Sequence, residues 1–134
     1  MLRKTSVKTN IIFLDMDGVL CNPRSSLAVG NTGSGYSYLD PIACLLVKKL
    51  CEECNARIVI SSAWRIDFDK LSMEAILNAA CGGLGNYIYC SSIYWCTPRH
   101  IYTDEPSLSS DRGREIQKWL NNNKVNNFCI LDDM

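Results

Sequence analysis

The chain reads as an α/β protein built on one parallel, doubly wound sheet, and three observations lead there. Short apolar runs recur, each ending in polar residues: Ile11-Ile12-Phe13-Leu14 before Asp15-Met16-Asp17-Gly18, Arg57-Ile58-Val59-Ile60 before Ser61-Ser62, and Phe128-Cys129-Ile130-Leu131 before Asp132-Asp133. Such unalternating runs suit strands buried on both faces, the habit of parallel sheets. Segments with helical periodicity separate the runs, and strand–helix–strand connections close as right-handed crossovers. No internal repeat and no linker interrupts the pattern, so 134 residues make one domain over 1–134, long enough for a single core.

The elements follow in order. After the first strand, residues 18–40 hold Gly18, Pro23, Gly30, Gly33 and Gly35 with several serines, a turn-rich loop over the strand's end that can act as a flap. Asp40 as N-cap and Pro41 at the first helical position open a helix to Cys54, whose Ile42, Leu45, Leu46 and Leu50 are expected to pack on the sheet. The β-branched run 57–60 is the second strand. Met73, Ile76, Leu77 and Ala80 mark a helix stopped by Cys81-Gly82-Gly83, and Tyr87-Ile88-Tyr89-Cys90 reads as a short third strand. Thr97-Pro98 and Glu105-Pro106 break residues 91–110 into loop. Asp111 then caps a helix with Ile116, Trp119 and Leu120 as its buried stripe, ended by Asn121-Asn122-Asn123 before the last strand.

Composition excludes several classes. Fourteen basic and fourteen acidic residues cancel, so the chain lacks the broad basic footprint of a tight nucleic-acid binder, though a local patch can still steer a phosphate end. No run of about 18 apolar residues predicts a membrane span. The basic start, 1–10, precedes an apolar run too short for a signal peptide and broken by Asp15. The cytosol is therefore the default compartment, and the eight cysteines read as reduced thiols with no disulfide-linked partner expected. Cys51-Glu52-Glu53-Cys54 is a lone C-x-x-C without a second pair or a nearby histidine, weak grounds for zinc. His100, the only histidine, lies in a loop and is left out of the site.

Parallel strands place their C-terminal ends on one edge, where ligands collect in open α/β sheets. Asp15 and Asp17, Ser61 and Ser62, and Asp132 and Asp133 should converge there, with Arg112 and Arg114 pointing in from the start of the last helix. Clustered carboxylates repel unless a hard cation such as Mg²⁺ joins them. Carboxylates, hydroxyls and arginine together suit metal-assisted phosphoryl transfer. Taken singly, each residue has a plainer role: an Asp-Gly turn, a serine cap, a solvated arginine, a polar chain end. It is their joint placement that speaks for chemistry.

These motifs, in this order, resemble the four motifs of the haloacid dehalogenase (HAD) superfamily. Ser61-Ser62-Ala63-Trp64-Arg65, Thr97-Pro98 and Arg112-Gly113-Arg114-Glu115-Ile116-Gln117-Lys118-Trp119-Leu120 before Ile130-Leu131-Asp132-Asp133 more closely resemble the HAD domain of Swiss-Army-knife RNA-repair-type proteins, over about residues 11–134. The resemblance implies a three-layer Rossmann-like HAD core, capless apart from the flap, and a Mg²⁺-dependent phosphomonoester hydrolase working through an aspartyl-phosphate. Asp15 would be nucleophile and metal ligand. Asp17 would be general acid and base, with its backbone carbonyl on the metal; an Asp at this position is similar to the superfamily's phosphatases rather than its dehalogenases or transport ATPases.

Ser61, with Ser62 as alternative, would hold phosphoryl oxygens. Arg112, with Arg114 as alternative, replaces the usual lysine, and Asp133 or Asp132 completes the metal site. Trp64 either closes the core or borders the site, while Arg65 is expected to contact substrate phosphate. An open site favours a phosphorylated small molecule or a nucleic-acid end. HAD domains normally continue past the fourth motif, whereas this sequence stops one residue later. That implies a piece of a longer protein, an edge covered by another subunit, or a compromised site. The competing function is therefore a HAD-like module that binds phosphorylated ligands or partners without turnover, and a third is phosphotransfer to an acceptor other than water.

Overall fold

The computed structural model describes residues 9–22, 39–99 and 110–133. Most of the expected flap (23–38), His100, Glu105-Pro106 and the capping side chain of Asp111 lie outside the described residues. Three parallel strands form the sheet in the order β2-β1-β3: β1 (Thr9–Leu14), β2 (Ala56–Ile60) and β3 (Val125–Leu131). β1 is central, and Ile11 through Leu14 are buried on both faces, which is why this stretch carries no polar residue. Leu14 pairs with Ile60 on one side and Leu131 on the other, so all three strands end in register. Near its start β3 carries an extra residue against β1, a bulge where Asn126 bonds across to Asn10 at 3.2 Å.

Side-chain alternation splits the core into two layers. Ile12, Leu14, Ile58 and Ile60 face helices α1 (Pro41–Cys54) and α3 (Lys70–Ala80), the latter burying Met73 and Leu77 as predicted. Ile11, Phe13 and Val59 face α4 (Ser110–Asn122), with Ile116 and Trp119 buried and Leu120 packed beside them. Phe13 meets Trp119 edge-on at 5.3 Å, and the indole N–H finds the Tyr94 carbonyl at 2.8 Å. Helix, sheet and helix make a three-layer Rossmann-like fold.

Two expectations are corrected. In α1, capped by Asp40 through a 3.0 Å bond from the Ile42 N–H, the side buried against the sheet is Cys44, Val47 and Cys51. Ile42, Leu45, Leu46 and Leu50 are instead 40–59% exposed. The helix is apolar on two sides, and the side with the slimmer residues sits closer to the sheet. The third strand at Tyr87–Cys90 is also reduced. A 3-10 turn occupies Leu84–Tyr87, packed so tightly that a side chain at Gly85 would strike the Glu74 backbone. Beyond β2, among the described residues, the sheet gains only two parallel bridges, Ile58 to Ile88 and Ile60 to Cys96. Between them the Ser91 hydroxyl accepts from the Ile93 and Tyr94 N–H groups and turns the chain away.

Candidate active site

The edge where the strands end carries a row of four residues. Backbone bonds from Asp15 N–H to Leu131 O (3.0 Å), Ser61 N–H to Leu14 O (2.8 Å) and Thr97 N–H to Ile60 O (2.9 Å) set Asp132, Asp15, Ser61 and Thr97 side by side. Each follows a residue of the last paired row, so alternation turns these side chains toward the α4 face. Asp15 is buried; Asp132 and Asp133 flank it, and one carboxylate oxygen from each of the three lies within 4.8 Å of the others.

Arg112, from the first turn of α4, reaches this group while Arg114 lies on the exposed side of the helix. Its Nη1 donates to Asp15 Oδ2 at 3.0 Å and to Asp132 Oδ2 at 2.6 Å. Burial holds the Asp15 carboxyl above the usual carboxylate range. Arg112 opposes that shift, and the Asp132 charge adds to it. Three convergent carboxylate oxygens fit a hard divalent cation. Gly18 makes the convergence possible. At φ +82° it takes a conformation that side chains avoid, and a β-carbon there would sit on the Asp133 carboxylate. A cradle that only glycine leaves open is a second sign that Asp133 belongs to the group.

The two serines divide. Ser62 Oγ accepts from the Trp64 N–H at 3.2 Å and starts the short helix α2 (Trp64–Asp67). Ser61 Oγ is buried and, among the described residues, has no hydrogen-bond partner. A buried hydroxyl in that state has the capacity to meet a polar group. Asp17 is exposed and stands outside the carboxylate group; its Oδ1 accepts from the Trp64 indole N–H at 3.2 Å. Trp64 thus both packs on the core and borders the site.

Arg65 turns inward. Its Nη2 pairs with Glu115 Oε2 at 2.7 Å, its Nη1 donates to Ser62 O at 2.6 Å and its Nε to Thr97 O at 2.9 Å. The guanidinium is a clamp joining the loop after β2, the 95–97 segment and α4, one turn beyond Arg112. Glu115 was missed in the sequence, where it lies 50 positions from Arg65 and looks like one more solvated helix residue. The indole bond to Asp17 and the Gly18 cradle were equally invisible.

No described helix is long and apolar enough to cross a membrane. All eight cysteines are free thiols, Cys51 buried and Cys54 exposed. No curated protein and no solved structure matches the chain. A family model, the HAD domain in Swiss Army Knife RNA repair proteins, matches residues 11–134. The span takes in the row at the strand ends, the three gathered carboxylates and the arginine that reaches them, and on it the chain belongs to that family of HAD domains, whose general function is phosphatase-like.

Proposed function

We propose that the chain is a Mg²⁺-dependent phosphomonoester hydrolase acting on nucleotide or polynucleotide end phosphates. The observation that carries this reading is the row itself: a buried aspartate between a second carboxylate and a hydroxyl that has no partner among the described residues, under an arginine. Asp15 Oδ attacks phosphorus in line, forming an aspartyl-phosphate as the bond to the leaving oxygen breaks. Asp17, released from Trp64, gives its proton to that oxygen and then takes one from the water that cleaves the acyl-phosphate. Ser61 Oγ and Arg112 hold the non-bridging oxygens. Asp15, Asp132, Asp133 and the Asp17 backbone carbonyl would hold Mg²⁺, which when bound offsets carboxylate repulsion and phosphate charge. Ser62 is committed to its turn and Arg65 to its clamp, so both support the phosphate-binding loop from behind.

The test is phosphate release by the purified chain with Mg²⁺ and with EDTA. Substrates are an aryl phosphate, mononucleotides, and oligonucleotides phosphorylated at the 3′ or the 5′ end. Metal-dependent release that is lost in Asp15→Asn supports the proposal. Binding of a phosphoester by both proteins with release by neither would replace it with a non-catalytic module. Product transfer exceeding free phosphate when alcohols are supplied would point to an acceptor other than water.

A further inference from the structure

Beside the row lies a cavity of about 370 Å³ that the mechanism does not use. It opens next to Thr97, the fourth member of the row, two strands from Asp15 and so about 10 Å away. Its walls include Ile66, Ile93, Tyr94 and Pro98, with Arg99 among its lining residues. Two features set it apart from an ordinary surface dent. Ile66 and Ile93 are 52% and 70% exposed, large apolar side chains left in solvent around a concave space. Thr97 is 1% exposed, yet its hydroxyl has no hydrogen-bond partner among the described residues. A buried hydroxyl left unmatched calls for a polar partner that the described residues do not supply.

We infer that this cavity is the subsite for the nucleoside that carries the scissile phosphate, an inference that rests on the phosphomonoesterase reading above. A volume near the lower end of ligand pockets suits one ring and its sugar rather than an extended chain. Aliphatic and aromatic walls take the face of a flat heterocycle, the Thr97 hydroxyl meets a polar edge, and the Arg99 guanidinium stacks or meets a following phosphate. The roughly 10 Å from Asp15 to Thr97 has room for a phosphate, its sugar and the near edge of a base. A nucleoside site also reconciles end recognition with zero net charge: affinity comes from one local pocket, not from a basic face.

Two arms test this on the full chain. In the first, binding of an unphosphorylated nucleoside is followed by NMR line broadening, for wild type, Ile93→Ser at the exposed rim and Thr97→Val, which keeps side-chain shape. The second compares kcat/KM for nucleoside monophosphates with that for glycerol phosphate. Nucleoside binding is expected to weaken about 5-fold in both variants, in Ile93→Ser because the base gives up an apolar wall and in Thr97→Val because it gives up one hydrogen bond. The nucleotide preference should fall by a similar factor. Hydrolysis with equal kcat/KM for glycerol phosphate and nucleotides, and no nucleoside binding, would overturn the subsite while leaving the phosphatase reading intact. Nucleoside binding that the variants weaken, without hydrolysis of any substrate, would do the reverse. Binding that neither variant weakens would place the nucleoside elsewhere and overturn the subsite.

Discussion

Replacing Arg65 by methionine separates two roles that make opposite predictions. As a clamp, Arg65 is 9% exposed and Glu115 11%, so Arg65→Met strips a desolvated carboxylate of its cation. Breaking one side of such a pair costs about 3–5 kcal/mol. The Thr97 carbonyl also loses its Arg65 donor, at about 1 kcal/mol, while the Ser62 carbonyl keeps the residue-65 backbone N–H at 3.1 Å. Against a total stability of roughly 5–15 kcal/mol for a domain, this is a severe loss. Adding Glu115→Leu removes the desolvated carboxylate, and the double variant should recover about 2 kcal/mol or more. Urea denaturation of the four proteins of the cycle at 15 °C measures this directly. As a substrate contact, Arg65 would instead raise KM and hardly change stability. Loss of less than about 1 kcal/mol in Arg65→Met, with no coupling to Glu115, would refute the clamp.

Three further outcomes follow from the structure. Gly18→Ala should cost about 1 kcal/mol or more for its positive φ, and by pushing Asp133 aside should weaken Mg²⁺ binding roughly 10–100-fold. Calorimetric titration with Mg²⁺ checks it, and unchanged affinity would remove Asp133 from the metal site. Burial pushes the Cys44 and Cys51 thiols up to about 12, so at pH 8 iodoacetamide should label exposed Cys54 and Cys90 and spare these two, as read by mass spectrometry. Because their folded values lie above the ordinary thiol value of 9.0, the stability they confer is intact below pH 9 and is lost as pH rises through about 12. An alkaline unfolding curve with no loss of stability between those limits would contradict it.

Much of the site was legible because its signals are local. Ile11–Leu14 is short, unalternating and closed by an Asp-Gly turn, the pattern of a strand buried on both faces. A polar residue immediately after such a strand lands on the ligand edge of a parallel sheet. Asp15, Ser61 and Asp132 were therefore placed together by their own neighbours in the chain, and the doubly wound parallel order came from strands alternating with helical periods. What stayed hidden depended on choices between locally equivalent answers. Either side of α1 is apolar, and only the space above Ile12 and Ile58 selects Cys44, Val47 and Cys51. Tyr87–Cys90 has strand composition, but close packing of Gly85 on Glu74 and the turn at Ser91 leave it a single bridge.

The division holds within the site too. By itself the sequence determined which residue types gather at the edge, because side-chain period and strand ends are short-range properties. Only tertiary structure decided how those residues are used: Ser62 spent on the Trp64 N–H and Ser61 left over, Arg112 rather than Arg114 on the carboxylates, Arg65 drawn inward by an acid 50 positions away. A hydrogen-bonding group is claimed by whichever partner packing brings within about 3 Å, and that partner leaves no periodic trace in the chain.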